Sequence, residues 1–438
     1  LKESTELFMI SVRNHQQRLS GNSLLSIAAA LLLVVASCAP KGTQVLRAPD
    51  YKGGNVGSST NKKDDGKTTV KELSSEEKSA ALKKARVNQI ALVLPFQLNQ
   101  VNTKLLSEDD VKRSSLALDF YQGFQMGLDD LAKKGTNFTL NILDSRDDVT
   151  RTTALAKSDD IEYASLVVGP IYPKEIRTFG ASSINKQVLQ VSPLAATMPT
   201  EFNIPNLVSL TPPIRVHMRA VAKDVAKRYS TGDVVIIYNT DDSDGKQFLS
   251  GFQSELLVNR KDIQVYSVSQ LSQLNQHLSI TGNNFIVTGT TSAVNLKALL
   301  SDLENQSNES PYTFNVYGHP NWDRFDFSAF SSIDSYNLVI TSSFILEDHS
   351  SAVRNFKSNY KATYKVDPSE FSFKGYDAAQ YFGRLIAKYG KDYAKHVVDE
   401  QYDGLSNSYQ FQYNAAWGYV NNAVGFMQYR GGAFQYRY

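Results

Sequence analysis

One thiol and a set of polar side chains placed at strand ends are the groups of this sequence that could do chemistry. Cys38 is the only cysteine, so the fold uses no disulfide. It closes an apolar run, where attachment of a lipid is the chemistry its position suggests. Eight further residues could orient a small polar ligand through hydroxyls, amides and aromatic faces. They are Tyr172, Ser192, Thr197, Tyr238, Thr290, His319, Asn321 and Trp322. Covalent catalysis finds little support. HExxH, GxSxG, P-loop and GxGxxG patterns are absent. Ser75-x-x-Lys78, Ser183-x-x-Lys186 and Ser358-x-x-Lys361 lack the KTG and SDN elements that serine enzymes of that pattern carry. The six histidines are scattered, with His217 and His349 on expected helix surfaces and only His319 near a strand end. The expectation is a binding protein, with no enzyme, no cofactor and no metal.

The apolar run Leu24 to Val35 is shorter than the ~20 residues that span a bilayer as a helix. Arg13 and Arg18 precede it and small residues close it, the pattern of a secretory signal whose expected start is Met9. Val35-Ala36-Ser37-Cys38 resembles a bacterial lipobox. That resemblance implies cleavage before Cys38 and three acyl chains, palmitate among them. Each buried CH₂ contributes ~0.8 kcal/mol, so several chains anchor firmly where one does not. Ala39 stands where an Asp would mark inner-membrane retention, and no acidic run follows. The expectation is a lipoprotein of the outer membrane facing the periplasm.

Residues 1–37 are thus read as signal and 38–87 as a lipidated tether. From Ala39 to about Lys71 the tether is rich in Gly, Ser, Thr, Lys and Asp, too polar to fold alone. A brief helix is expected from Ser74 to Arg86, opened by Ser74-Ser75-Glu76-Glu77. As a coil the tether would reach ~35–40 Å. What remains suits two domains, and apolar residues at 42% are enough for sizeable cores. The net charge of +2 falls to about +1 without the signal, with no basic face for nucleic acid.

From Asn88 strands and helices alternate. Gln89 to Phe96 is a continuous apolar run, as in a strand buried on both faces. Leu116 to Lys134 carries Phe120, Phe124, Leu128 and Leu131 at helical spacing. Further strands are expected at 138–143, 166–169, 188–191 and 207–209. A second series starts with a helix over 214–229, then strands at 233–238, 263–268, 284–287, 314–317 and 338–341, with a helix near 247–257 between the first two. Such spacing implies parallel sheets with right-handed crossovers, and two series imply two doubly wound α/β lobes. The first lobe is assigned 88–212 and 344–403, the second 213–343 and 404–438. Crossings are expected near Thr211 to Pro213, Ser342 to Phe344 and Tyr402 to Gly404. The tyrosines near the C-terminus read as packing and cross-strand pairs.

Ligands of open α/β sheets bind outside the carboxyl ends of strands. There the sequence places Asp144, Gly169-Pro170-Ile171-Tyr172, Ser192 to Thr197, Tyr238-Asn239, Gly289-Thr290-Thr291 and His319 to Trp322. Three stretches resemble the type I periplasmic binding protein family, as in branched-chain amino acid receptors. They are Ala91 to Phe96 with Tyr121-Gln122-Gly123-Phe124, Val168-Gly169-Pro170 with Val191-Ser192-Pro193, and Phe373 to Ala379. Leu405 to Phe411 and Gly418 to Asn422 resemble receptor-type envelope lipoproteins that often carry LysM modules, none of which occurs here. The resemblance implies two lobes closing around an amino acid, peptide or cell-wall fragment. Tyr172 and Pro173 stand where the family places a carboxylate-holding Ser. Ser192 and Thr197 match its next loop, and Asp323 falls nearest its ammonium-binding acid. A second reading stays open, since the fold also resembles outer-membrane lipoproteins that regulate a peptidoglycan synthase by protein contact.

Overall fold

The computed structural model describes residues 43–46, 88–102, 104–330 and 332–437. Cys38, the signal-like run and the expected helix from Ser74 to Arg86 lie outside the described residues. In chain order the elements begin with β1 (Thr43–Leu46), β2 (Gln89–Leu94), α1 (Glu108–Ala132), β3 (Phe138–Asp144), α2 (Val149–Leu155) and α3 (Asp159–Glu162). Next come β4 (Leu166–Val168), α4 (Pro173–Ser182), β5 (Gln190–Ser192), β6 (Leu207–Ser209) and α5 (Ile214–Arg228). The second series holds β7 (Val234–Tyr238), α6 (Ser243–Leu249), α7 (Phe252–Asn259), β8 (Val265–Val268), α8 (Leu271–Gln276) and β9 (Asn283–Val287). It continues with α9 (Ala293–Glu309), β10 (Thr313–Tyr317) and β11 (Val339–Ser342). Two helices follow, α10 (Ser351–Tyr364) and α11 (Glu370–Tyr389). The chain ends in strands β12 (Tyr402–Asp403), β13 (Ser408–Tyr409), β14 (Phe411–Asn414), β15 (Gly418–Asn421), β16 (Gly425–Arg430) and β17 (Ala433–Tyr436).

Two compact units emerge. Of the described residues, the first takes in those up to His217 and then Ser342–Gly425; the second takes in Met218–Thr341 and those from Phe426 onward. The first unit's sheet has the order β1-β3-β2-β4-β5-β6-β15-β14, the second unit's β17-β16-β11-β10-β9-β7-β8. Pairings from β3 through β6 and from β8 through β11 are parallel, the doubly wound α/β architecture expected. In each unit the strand order reverses once, between β2 and β4 and between β7 and β9.

Several expectations are corrected. Residues 404–425 belong with the first unit, because β15 adds in parallel to β6 and β14 adds to β15. The third chain passage therefore lies after Gly425 and not near Tyr402 to Gly404. Thr43–Leu46, read as tether, is a strand antiparallel to β3 and covers the sheet's edge. The helix expected near 247–257 is two helices, parted where Gly251 adopts φ +80°. His217, expected on a helix surface, is buried, and His349 lies exposed in a turn before α10. The aromatic reading holds: Tyr413 faces Tyr419 across β14 and β15 at 4.6 Å, and Tyr402 stacks on Tyr409 at 5.6 Å.

The first unit is closed by α11, which returns after the whole second series to pack on α1. Apolar faces supply most of that contact through Phe120, Phe124, Leu128, Ala378, Phe382 and Leu385. Glycines set how near the helices come. A Cβ on Gly123 would sit 1.8 Å from the Ser372 carbonyl oxygen, and one on Gly375 2.1 Å from that of Phe120. Polar groups are matched along the seam. Gln380 donates to the Gly127 carbonyl at 2.6 Å, and Tyr360 donates to Gln122 Oε1 at 2.5 Å while accepting from Ser372 Oγ at 2.9 Å.

Past the seam, buried Asp377 accepts from Leu405 N (2.7 Å), Ser406 N (3.0 Å), Ser406 Oγ (2.8 Å), Asn407 N (2.9 Å) and Tyr402 OH (3.2 Å). No helix among the described residues is long and apolar enough to cross a membrane. Gly375→Ala is expected to destabilise the protein, since overpacking costs about 1–3 kcal/mol and this clash is backbone on both sides. Chemical denaturation should place it near the top of that range. A midpoint within error of the wild type would show that α11 does not need the close approach.

Candidate functional site

Small residues let the strand ends of the first unit come together. Gly169 follows β4 with φ +106°, and a Cβ there would stand 1.9 Å from the Val93 carbonyl oxygen. Only glycine fits both the backbone angle and the gap. Tyr172, half-buried, then precedes Pro173 at the first position of α4. Burial pushes its phenol pKa up, and the charges of Asp147 and Glu175 push in the same direction.

Ser192 and Ser209 are the last residues of β5 and β6 and lie opposite one another in register. Both are buried, and neither Oγ has a hydrogen-bond partner. They share the sheet face that looks toward α4. Gln190, two residues before Ser192, donates to the Ile176 carbonyl on α4 at 3.2 Å, and Leu207, two before Ser209, packs beside Ile176. A buried hydroxyl left unpaired costs about 1–3 kcal/mol, so a pair of them side by side is unusual. Thr197 lies half-buried in the loop that follows Ser192.

On the same helix stands Glu175, almost fully buried. Its Oε1 accepts from Thr152 Oγ1 at 2.8 Å, while Oε2 has no partner. Burial raises its pKa to about 7, against the pull of the Thr152 hydroxyl and with the Asp147 and Asp144 charges adding to the rise. At neutral pH this carboxyl exchanges readily between a donor and an acceptor form. Beyond it lies an open depression of about 470 Å³ lined by Asn99, Gln100, Arg146, Asp148, Thr150 and Arg151. Arg146 and Asp147 are consecutive left-handed residues, at φ 62° and 51°. They are held by Asp144, which accepts from Arg146 N, Gln97 N and Leu98 N at 3.0 Å each. Asp144 is thereby spent on the backbone.

The second unit treats its strand ends differently. Asp242, at the N-cap of α6, accepts from Thr240 Oγ1 (2.6 Å), Thr290 Oγ1 (2.7 Å), Gly245 N (2.8 Å) and Thr291 N (3.3 Å). Burial alone would raise its pKa, but those four bonds outweigh burial and hold it at about 2. The Thr290 carbonyl accepts from Trp322 Nε1 at 2.7 Å. Trp322 and Tyr238 sit in the hydrophobic core. His319 is buried, and its Nδ1 accepts from Asn321 N at 3.1 Å. Burial lowers the His319 pKa to about 4 against the pull of Asp244 and Asp242, which leaves the ring neutral near pH 7. Half-buried Asn321 and Asp323 share the turn Pro320–Arg324. The structure thus gathers Thr290, His319, Asn321 and Trp322 in one place. It commits Thr290 and Trp322 to that unit's own packing.

Sequence reasoning missed Ser209, Glu175 and Asp242. Ser209 could have been read from its position at a strand's end beside Ser192. The other two carry no motif, since their roles arise from burial that only the tertiary structure creates. Among the described residues no group of three or more His, Cys, Asp or Glu side chains is placed to hold a metal ion.

No family model matches the chain, and no curated protein matches it. Solved structures do. A putative branched-chain amino acid ABC transporter protein from Rhodospirillum rubrum aligns with a TM-score of 0.57 at 15% identity, over 80% of this chain and 100% of its own. An ABC-type branched-chain amino acid transporter protein from Rhodopseudomonas palustris aligns at 0.55 and 11%, over 80% and 95%. An ABC transporter substrate-binding protein from Desulfitobacterium hafniense aligns at 0.51 and 17%, over 80% and 99%. The likeness is one of fold. The chain has the two-unit α/β fold of the type I periplasmic binding proteins, as the sequence motifs implied.

Glu175 makes stability depend on pH with a definite sign. Between about pH 4.5 and 7 the folded state keeps a proton that the unfolded chain has released, so stability falls as pH rises through that window. The full effect is at most about 3 kcal/mol. Glu175→Gln should flatten this slope and exceed the wild type above pH 7 in denaturant titrations. Asp119, raised to about 6 by burial, should leave a smaller slope of the same sign. A wild-type stability that is level from pH 4.5 to 8 would refute the assignment.

Proposed function

We propose that this chain is a non-enzymatic binding protein of the cell envelope that takes a small polar ligand at the strand ends of its first unit. The ligand class is an amino acid, a short peptide or a cell-wall fragment. Ser192 and Ser209 would hydrogen-bond it, with Tyr172 and Thr197 at the margin and Glu175 supplying a carboxyl that can donate or accept. The observation that carries this reading is the pair of buried, unpartnered hydroxyls in register at the carboxyl ends of β5 and β6. Ligands of open α/β sheets bind outside such ends. Solved proteins of the same fold carry the names of amino acid transporter components, which supports the ligand class. Cys38 would carry the lipid that holds the protein at the outer membrane, facing the periplasm.

The second unit's predicted residues enter the reading in a reduced role. Thr290, Tyr238 and Trp322 serve that unit's fold, whereas His319 and Asn321 stay candidate contact residues of that unit's own strand ends.

Unpaired hydroxyls give this proposal a two-sided test. Ser192→Ala removes a buried polar atom that nothing in the free protein satisfies, so it should leave the melting temperature unchanged or raise it. The same substitution should weaken ligand binding at least tenfold, since a hydrogen bond to a fully desolvated partner is lost. Isothermal calorimetry of wild type and variant against amino acids, short peptides and peptidoglycan fragments measures the second effect, and thermal denaturation the first. Silence of the wild type across the panel, or a variant that binds as well as the wild type, would overturn the reading.

A further inference from the structure

The edge of the first sheet is finished by a strand from far upstream. Thr43–Leu46 pairs antiparallel with β3, Thr43 opposite Asn141 and Leu46 opposite Phe138. The burial of β3 follows that register. Its four paired residues, Phe138 to Asn141, are buried, and the three beyond them are half-buried. An edge strand presents a row of N–H and C=O groups that a segment of suitable sequence completes. Each ladder bond contributes little net free energy, and each ordered residue costs conformational entropy of similar size. A four-residue strand is therefore near balance between docked and released.

Its place in the chain gives that balance a use. Five residue steps separate Cys38 from Thr43, which span ~17 Å at most. Fifty steps separate Cys38 from Asn88, a length that would have a root-mean-square reach of ~35–40 Å if it behaved as a coil. Docking moves the attachment point of the anchor from Asn88 to the sheet edge and shortens the leash about tenfold in residues.

We propose that Thr43–Leu46 is a releasable clasp that sets the distance between the first unit and the membrane. Docked on β3, it holds the unit against the lipid surface; released, it lets the unit range outward. The clasp rests on the reading of Cys38 as the lipid-bearing residue, and its test separates the two.

Full-length protein in vesicles, with Lys134→Cys carrying a donor dye on the first unit and acceptor dye in the lipid headgroups, reports the height. Acylation leaves Cys38 unavailable to the label. Gln44 lies opposite Leu140 and turns its backbone donor toward β3, since Thr139 bonds to the other neighbour through Asn88. Gln44→Pro, which removes that donor, should lower energy transfer at least twofold. It should also lower amide exchange protection of residues 43–46 at least tenfold. A disulfide between Val45→Cys and Thr139→Cys, residues opposite in register, should hold transfer at or above the wild-type level until it is reduced. For that comparison the wild-type, proline and crosslinked forms are all measured without the Lys134 label, through the intrinsic tryptophan donor. Equal transfer in the proline and crosslinked forms, or an anchored wild type without protection at 43–46, refutes the clasp alone. A wild type that is protected there but absent from the membrane fraction, or retained equally after Cys38→Ser, refutes the anchor reading and the clasp with it.

Discussion

A carboxylate buried out of reach of solvent ties the first unit together. Asp377 is buried on α11, and burial raises its pKa, while three backbone N–H groups and two hydroxyls donate to it. Removing one partner from such a buried charge costs several kcal/mol, because the remaining groups stay desolvated and unpaired. The donors all lie between Tyr402 and Asn407, the segment that leads into β13, β14 and β15. Asn407 also donates to the Ser343 carbonyl at 2.9 Å, where the chain re-enters the unit. One side chain thereby joins the returning helix to the strands that extend the sheet. The glycine seam between α1 and α11 sets the depth at which that helix sits, so both devices act on the same element.

The two units repeat one topology and treat the polar groups at their strand ends in opposite ways. In the second, Asp242 collects four donors at the strand ends, and Trp322 and His319 are tied into the same knot. In the first, Ser192, Ser209 and one oxygen of Glu175 are buried with nothing to bond. A fold accepts unsatisfied groups of this kind where they serve a purpose other than its own stability. On this difference rests the proposal of a ligand at the first unit, although aromatic and hydroxyl residues are present at the strand ends of both.

Much of the architecture is legible in the sequence because hydrophobic runs such as Gln89–Leu94 and Val234–Tyr238 are buried on both faces. Pro173 and Ser292 mark helix starts by their chemistry, and both helices begin there. Apolar spacing alone starts α1 too late. The helix begins at Glu108, where Ser107 and Asp110 form a reciprocal cap ahead of the first apolar turn. The strand at Thr43–Leu46 was hidden because its surroundings are polar and its partner lies some ninety residues on. Membership of Phe411–Asn421 in the first unit was hidden for a similar reason, since pairing with β6 is a long-range choice. At the candidate site, Tyr172 and Ser192 could be picked out from their place after strands. The commitment of Thr290 to Asp242 depends on a carboxylate forty-eight positions away.

The chain's three passages between units bear on how the protein is made. Neither sheet is finished when its first half leaves the ribosome: one awaits residues up to Gly425, the other the last hairpin from Phe426. At ~5–20 residues per second, the stretch from His217 to Gly425 alone takes roughly 10–40 s to synthesise. Through that interval the nascent polypeptide has no complete globule to lock into. Interleaved connectivity of this kind delays completion of the first sheet until Asn421 and of the second until Tyr436.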